Sequence, residues 1–143
     1  MFRLSLAIFL FSVLFLFSAA TFAQEGNDFH VIHVQTFKMH GVMDDDAEAF
    51  SETLKRQAGV INGDSRVLRS YVLRHFWGGD SRDLVIVSEF ENSENLFSFY
   101  NDLDGLFEKA FPKEQRDNDN ALWNKYVGQH SDEIYRVVSD TRK

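Results

Sequence analysis

The chain has 143 residues, of which 44% are hydrophobic and 15% aromatic, with a formal charge of −7 and no cysteine. The missing cysteines exclude disulfides, thiol nucleophiles, iron–sulfur clusters and cysteine-held zinc. The acidic balance, with no Lys/Arg cluster interleaved with aromatics, argues against nucleic acid as a partner, because a polyanion is repelled by such a field.

Met1 to Ala23 reads as a secretory signal peptide. Arg3 supplies a positive start, Leu4 to Phe17 form an apolar run broken only by Ser5 and Ser12, and Thr21-Phe22-Ala23 puts small side chains where a signal peptidase reads them. The run is shorter than the roughly 20 apolar residues of a spanning helix, which favours cleavage over an anchor. Residues 24–143 are then the mature protein, periplasmic or secreted, with no membrane attachment after cleavage. Loss of Arg3 leaves 14 basic against 22 acidic residues, a formal charge of −8. About 120 residues suit one domain stabilised by burial alone.

Phe29 to Met39 has the Val, Ile, Thr and Phe content of a strand. Asp44 to Ala58 reads as a helix with an acidic first turn, apolar residues at Ala47, Phe50 and Leu54, and Gly59 as its stop. Asp44-Asp45-Asp46 is a solvated helix opening; a calcium loop would need a bidentate Glu that Ala47-Glu48-Ala49-Phe50 does not supply. Val67 to Trp77 is a second strand, Gly78-Gly79-Asp80-Ser81 a turn, and Asp83 to Phe90 a third strand. The unbroken run Leu84-Val85-Ile86-Val87 marks that third strand as central. A second helix starts at Ser93, with Leu96, Phe97, Tyr100 and Leu103 as its stripe, and Leu106 to Phe111 continues or bends it. Pro112 opens a further helix carrying Leu122, Trp123, Tyr126 and Val127. Ile134 to Val138 is the last strand, followed by the polar tail Thr141-Arg142-Lys143.

This order is the α+β, ferredoxin-like βαββαβ pattern with an extra helix before the last strand. Right-handed crossovers then predict an antiparallel four-stranded sheet in the order 4-1-3-2, with helices on one face. If Ile32, Val34, Val85 and Val87 point toward the helices, Val31, His33, Gln35, Phe37, Leu84, Ile86, Ser88 and Phe90 remain on the other face. A mostly apolar open face of that kind suits packing against a second copy of the chain, with a shared interior between them.

The element order, the paired segments Tyr71 to Trp77 and Leu84 to Phe90, and the aromatic second helix resemble the dimeric α+β barrel superfamily, which includes antibiotic-biosynthesis monooxygenase-like and NIPSNAP-like domains. The resemblance spans about Phe29 to Val138 and implies a homodimer binding a small apolar or aromatic ligand in its cleft. Some such proteins are cofactor-free oxygenases, and others degrade haem held by a helical His. The Ser93 to Phe111 segment has no His, which counts against haem degradation, and no cofactor is expected.

The candidate ligand-binding residues are His33, Gln35, His75, Trp77 and Ser88. His33 and Gln35 share one parity of the first strand, as His75 and Trp77 do on the second. Imidazole exchanges a proton near neutral pH, and Trp offers a stacking surface. The plainer alternative makes each a hydrogen-bonded part of the sheet or of a dimer contact. No metal site is expected: His30 and His33 lie on opposite parities, and His130-Ser131-Asp132-Glu133 reads as a helix end with capping polar groups. Two functional readings follow: an exported small-molecule-binding homodimer, or a cofactor-independent monooxygenase or isomerase with His33 or His75 as proton acceptor.

Overall fold

The computed structural model describes residues 29–40, 45–139 and 141; the signal-peptide reading of Met1 to Ala23, the Asp44 helix start and the last two residues lie outside them. The elements run β1 (Val31–Met39), α1 (Ala47–Gly63), β2 (Val67–Arg74), β3 (Asp83–Phe90), α2 (Ser93–Ala110), α3 (Lys113–Tyr126) and β4 (Val127–Arg136). The strands form one antiparallel sheet in the order β2-β3-β1-β4, so β1 and β3 are central, as the apolar runs predict.

The sheet faces are the reverse of the sequence expectation. Val31 lies opposite Phe90, His33 opposite Ser88, Gln35 opposite Ile86 and Phe37 opposite Leu84, and this set meets the helices. Val31 and Phe90 pack with Leu96 and Phe99 of α2. Phe37 and Leu84 pack with Phe50 and Leu54 of α1 and Tyr126 of α3. Both parities are apolar, so hydrophobicity alone does not choose between them. The helix layer is thick enough to take the Phe rings, whereas the short branched residues Ile32, Val34, Val85 and Val87 are left on the open face. Tyr71, Leu73 and Tyr135 flank them there, each more than 40% exposed. Glu89 is a buried carboxylate on that side, ion-paired with Arg69 at 2.6 Å and His30 at 3.5 Å.

Element ends differ from the pattern for local reasons. α1 continues through Gly59 because Ile61 still packs against the core, and Asn62 ties the helix end to β2. The Asn62 side chain accepts the Ser70 N–H at 2.7 Å and donates to the Ser70 carbonyl at 2.9 Å. At the other end of α1, Asp46 makes no side-chain cap but accepts from Lys125 and Tyr126, each at 2.6 Å, pinning α1 to α3. These donors hold the Asp46 carboxyl below the usual carboxylate range. Asn92, not Ser93, caps α2, its side chain accepting the Asn95 N–H at 2.9 Å. α2 then runs unbroken through Leu106 to Ala110. β2 stops at Arg74, three residues before the expected end, once His75 has donated to the Asp83 carbonyl at 3.2 Å. β4 begins directly after α3 and is twice the expected length, so His130 to Glu133 lie within a strand and not at a helix end. An edge strand exposed on both faces has no apolar alternation to announce it.

A buried histidine beside the edge strand

His33 sits on central β1, opposite Ser88 of β3 and Ile134 of β4. Gln35 is likewise opposite Asp132, and Phe37 opposite His130. Because cross-strand partners point to the same side, the pleat gathers His33, Gln35, His130 and Asp132 on the helix-facing surface. α2 lays Tyr100 over this patch, its ring edge-on to His33 with centroids 4.9 Å apart.

The contacts form a line from the interior to solvent. His33 is only 7% exposed, and its Nδ1 lies 2.7 Å from the Tyr100 hydroxyl. Its Nε2 lies 3.2 Å from Asp132 Oδ1, the oxygen that also accepts from the Gln35 amide at 2.9 Å. Asp132 Oδ2 is 3.0 Å from His130 Nε2, and the His130 ring stacks on Phe37 at 5.1 Å. The Asp132 and His130 side chains are 44% and 50% exposed, so this end of the line opens to water along the edge strand β4. At the inner end, Ser88 is buried and shares a 2.8 Å hydroxyl contact with Ser70.

Electrostatics assign the protons along this line. Burial pushes the Tyr100 phenol up to about 12, with the neighbouring Ser88 hydroxyl opposing the shift, so at neutral pH Tyr100 keeps its proton and donates. His33 Nδ1 is then the acceptor, which leaves Nε2–H to donate to Asp132. Burial also lowers the His33 pKa, and the charge and hydrogen bond of Asp132 offset this only in part. A neutral imidazole fixed in one tautomer, between a phenol and a solvent-reaching carboxylate, can relay a proton or hold a ligand hydroxyl or carbonyl.

Of the residues singled out from sequence, His33, Gln35 and Ser88 come together, but beneath the helices and not on the open face. His75 and Trp77 stand apart from them. Five residues separate His75 from Ser70, the β2 residue opposite Ser88, which is about 16 Å along an extended chain. Trp77 is 91% exposed on the β2–β3 loop, where Gly78 adopts a φ of 143° against the His75 ring. Sequence reasoning missed Tyr100, Asp132 and His130. The alternation His130, Asp132, Ile134 was the available signal, hidden by reading the segment as a helix end. Among the described residues no group of three or more His, Cys, Asp or Glu side chains is placed to hold a metal ion, and no helix is long and apolar enough to cross a membrane.

No family model matches the chain, and no curated protein matches it significantly. Its fold is found among solved structures. A NIPSNAP-like domain protein from Burkholderia xenovorans superposes with a TM-score of 0.55 at 11% identity, covering 81% of this chain and 91% of that one. A dimeric ferredoxin-like protein from an uncultured marine organism gives 0.52 at 12% identity, with 80% and 93% covered. SnoaB, a cofactor-independent oxygenase from Streptomyces nogalater, gives 0.51 at 12% identity, with 80% and 99% covered. These likenesses show the ferredoxin-like fold of the chain.

Proposed function

We propose that this chain, with its ferredoxin-like fold, is an exported homodimer of the dimeric α+β barrel kind that binds a small aromatic ligand beside His33. The observation that carries this reading is the buried, neutral His33 held between the Tyr100 phenol and Asp132, with Asp132 and His130 reaching solvent along β4. Such a line provides a donor and an acceptor next to the exposed apolar side chain of Ile134 and the Phe37–His130 stack, which suits a flat molecule bearing a hydroxyl or carbonyl. The ligand site then belongs to one subunit. The open face of Ile32, Val34, Val85 and Val87 serves dimerisation separately, in place of the shared interior expected from sequence.

The test is titration of the protein with naphthol and menadione, followed by intrinsic fluorescence and calorimetry. Saturable binding that weakens at least about tenfold in both His33→Ala and Asp132→Asn supports the reading. Binding unchanged in both variants, or none at millimolar ligand, refutes it. Export is tested by the intact mass of protein recovered from the envelope or medium, which should begin at Gln24.

One observation favours a second reading, a cofactor-independent oxygenase: His33 and Asp132 are paired as a base and its orienting carboxylate, and SnoaB shares the fold. In that case His33 Nδ1 exchanges its Tyr100 partner for an acidic substrate hydroxyl and takes its proton, and the resulting anion is oxidised by dioxygen. Oxygen uptake with reduced, hydroquinone-type substrates, lost in His33→Ala, would distinguish turnover from binding.

A further inference from the structure

β2 forms the margin of the sheet opposite β4 and pairs with β3 on one side only. Alternate residues of a strand send their N–H and C=O to the same side, and the Ser70 groups point away from β3, toward Asn62. Those of Val72, two residues on, therefore point outward as well. Along this edge Leu68, Tyr71 and Leu73 are each more than 40% exposed. Arg69 offers little repulsion to an approaching strand, because its guanidinium is held across the sheet by Glu89 at 2.6 Å. An edge with outward main-chain groups and exposed apolar side chains is a template for another strand.

One side chain stands in the way. The Asn62 amide, near the end of α1, meets Ser70 as the peptide of a neighbouring strand would, accepting its N–H at 2.7 Å and donating to its C=O at 2.9 Å. The Asn62 nitrogen also donates to the Ala58 carbonyl, one turn earlier in the helix, at 2.9 Å. Two carbonyls on the nitrogen and one N–H on the oxygen fix which way round the amide sits. The Ala58 bond anchors it to α1, already aimed at the edge. Asn is a poorer helix former than Ala, so the position favours the edge contact at the expense of the helix.

We propose that the β2 edge is an interaction surface for the β2 strand of a second copy of this chain, and that Asn62 holds it closed. With Asn62 withdrawn, an antiparallel pairing that sets Tyr71 against Tyr71 brings Ser70 against Val72 and Arg69 against Leu73, so no like charges meet. This contact uses main-chain groups at the sheet margin and is independent of any packing through the open face. Sedimentation velocity and amide hydrogen exchange of wild type and Asn62→Ala, at low and high micromolar concentration, test it. Ala favours the helix, so the variant is expected to fold. At high concentration it should form species of at least about twice the wild-type mass. The Ser70 amide, slow in wild type, should exchange fast in the dilute variant, and the Ser70 and Val72 amides should both slow at least about tenfold on concentration. If Asn62→Ala does not fold, Asn62→Ser, too short to span both Ser70 groups, is read in the same way. The proposal is overturned by a folded variant that keeps the wild-type mass at every concentration, or by association that leaves the Ser70 and Val72 amides exchanging freely.

Discussion

The two faces of the sheet are nearly matched in apolar content, yet only one is covered. The covered face carries Phe37, Leu84 and Phe90, with His33 and Ser88 between them; the open face carries Ile32, Val34, Val85 and Val87, with Tyr71 and Leu73 at the margin. The difference is one of shape and polarity. Large rings need the depth that two packed layers provide, and buried His and Ser need partners that a helix such as α2 can bring. Short branched side chains make a smoother surface, suited to a flat partner. Hydrophobic content thus tells which strands are central, while ring size and polar pairing tell which way they face.

Substitutions on the two faces should therefore separate stability from association. The largest effect is expected for Phe90→Ala on the covered face, about 3–5 kcal/mol lost in denaturant unfolding with the oligomeric state unchanged. On the open face, Leu73→Glu should leave the unfolding of the monomer nearly as it was, yet raise the dimer dissociation constant about 100-fold in analytical ultracentrifugation. A wild-type chain that is already monomeric at micromolar concentration would dissolve the contrast between the faces.

A smaller effect concerns pH. Because the native His33 pKa is depressed, the unfolded chain takes up a proton below about pH 6.5 that the folded chain refuses. Stability should therefore fall as pH drops through that value toward the lower native one, and His33→Gln should flatten this part of the curve. At the alkaline end the sign reverses. Unfolded Tyr100 ionises near pH 10 while the native phenol holds its proton to about 12, so stability should decline across that interval in wild type and less in Tyr100→Phe. The smallest effect is expected for Trp77→Ala: at 91% exposure it should shift stability by no more than about 0.5 kcal/mol and leave naphthol binding intact, which would remove Trp77 from the ligand-binding set.

Element order, strand centrality and sheet order were legible because each rests on patterns within one segment: the apolar run of β3, the Gly-rich turn before it, the Pro between α2 and α3. Facing was not legible, since β1 is apolar on both parities and a period of two carries no sign. The site was read in part. His33, Gln35 and Ser88 were identifiable as polar residues on otherwise apolar strands. Their partners were not, because Tyr100 looks like any stripe residue of an amphipathic helix, and Asp132 belongs to a strand that leaves no hydrophobic trace. His75 and Trp77 were misplaced because β2 ends early, at the point where Asp80 turns to Lys38 and Arg82.

The polar character of β4 also limits how copies of the chain can assemble. β4 forms one margin of the sheet, and along it stand His130, Asp132, Glu133 and Arg136, all exposed. Another chain that tried to extend the ladder there would have to bring its own strand against a row of polar and charged side chains, a standard obstacle to fibre growth. The proposed contact through the flat face, by contrast, would be used up once two copies had met, so an assembly of that kind would close at a pair.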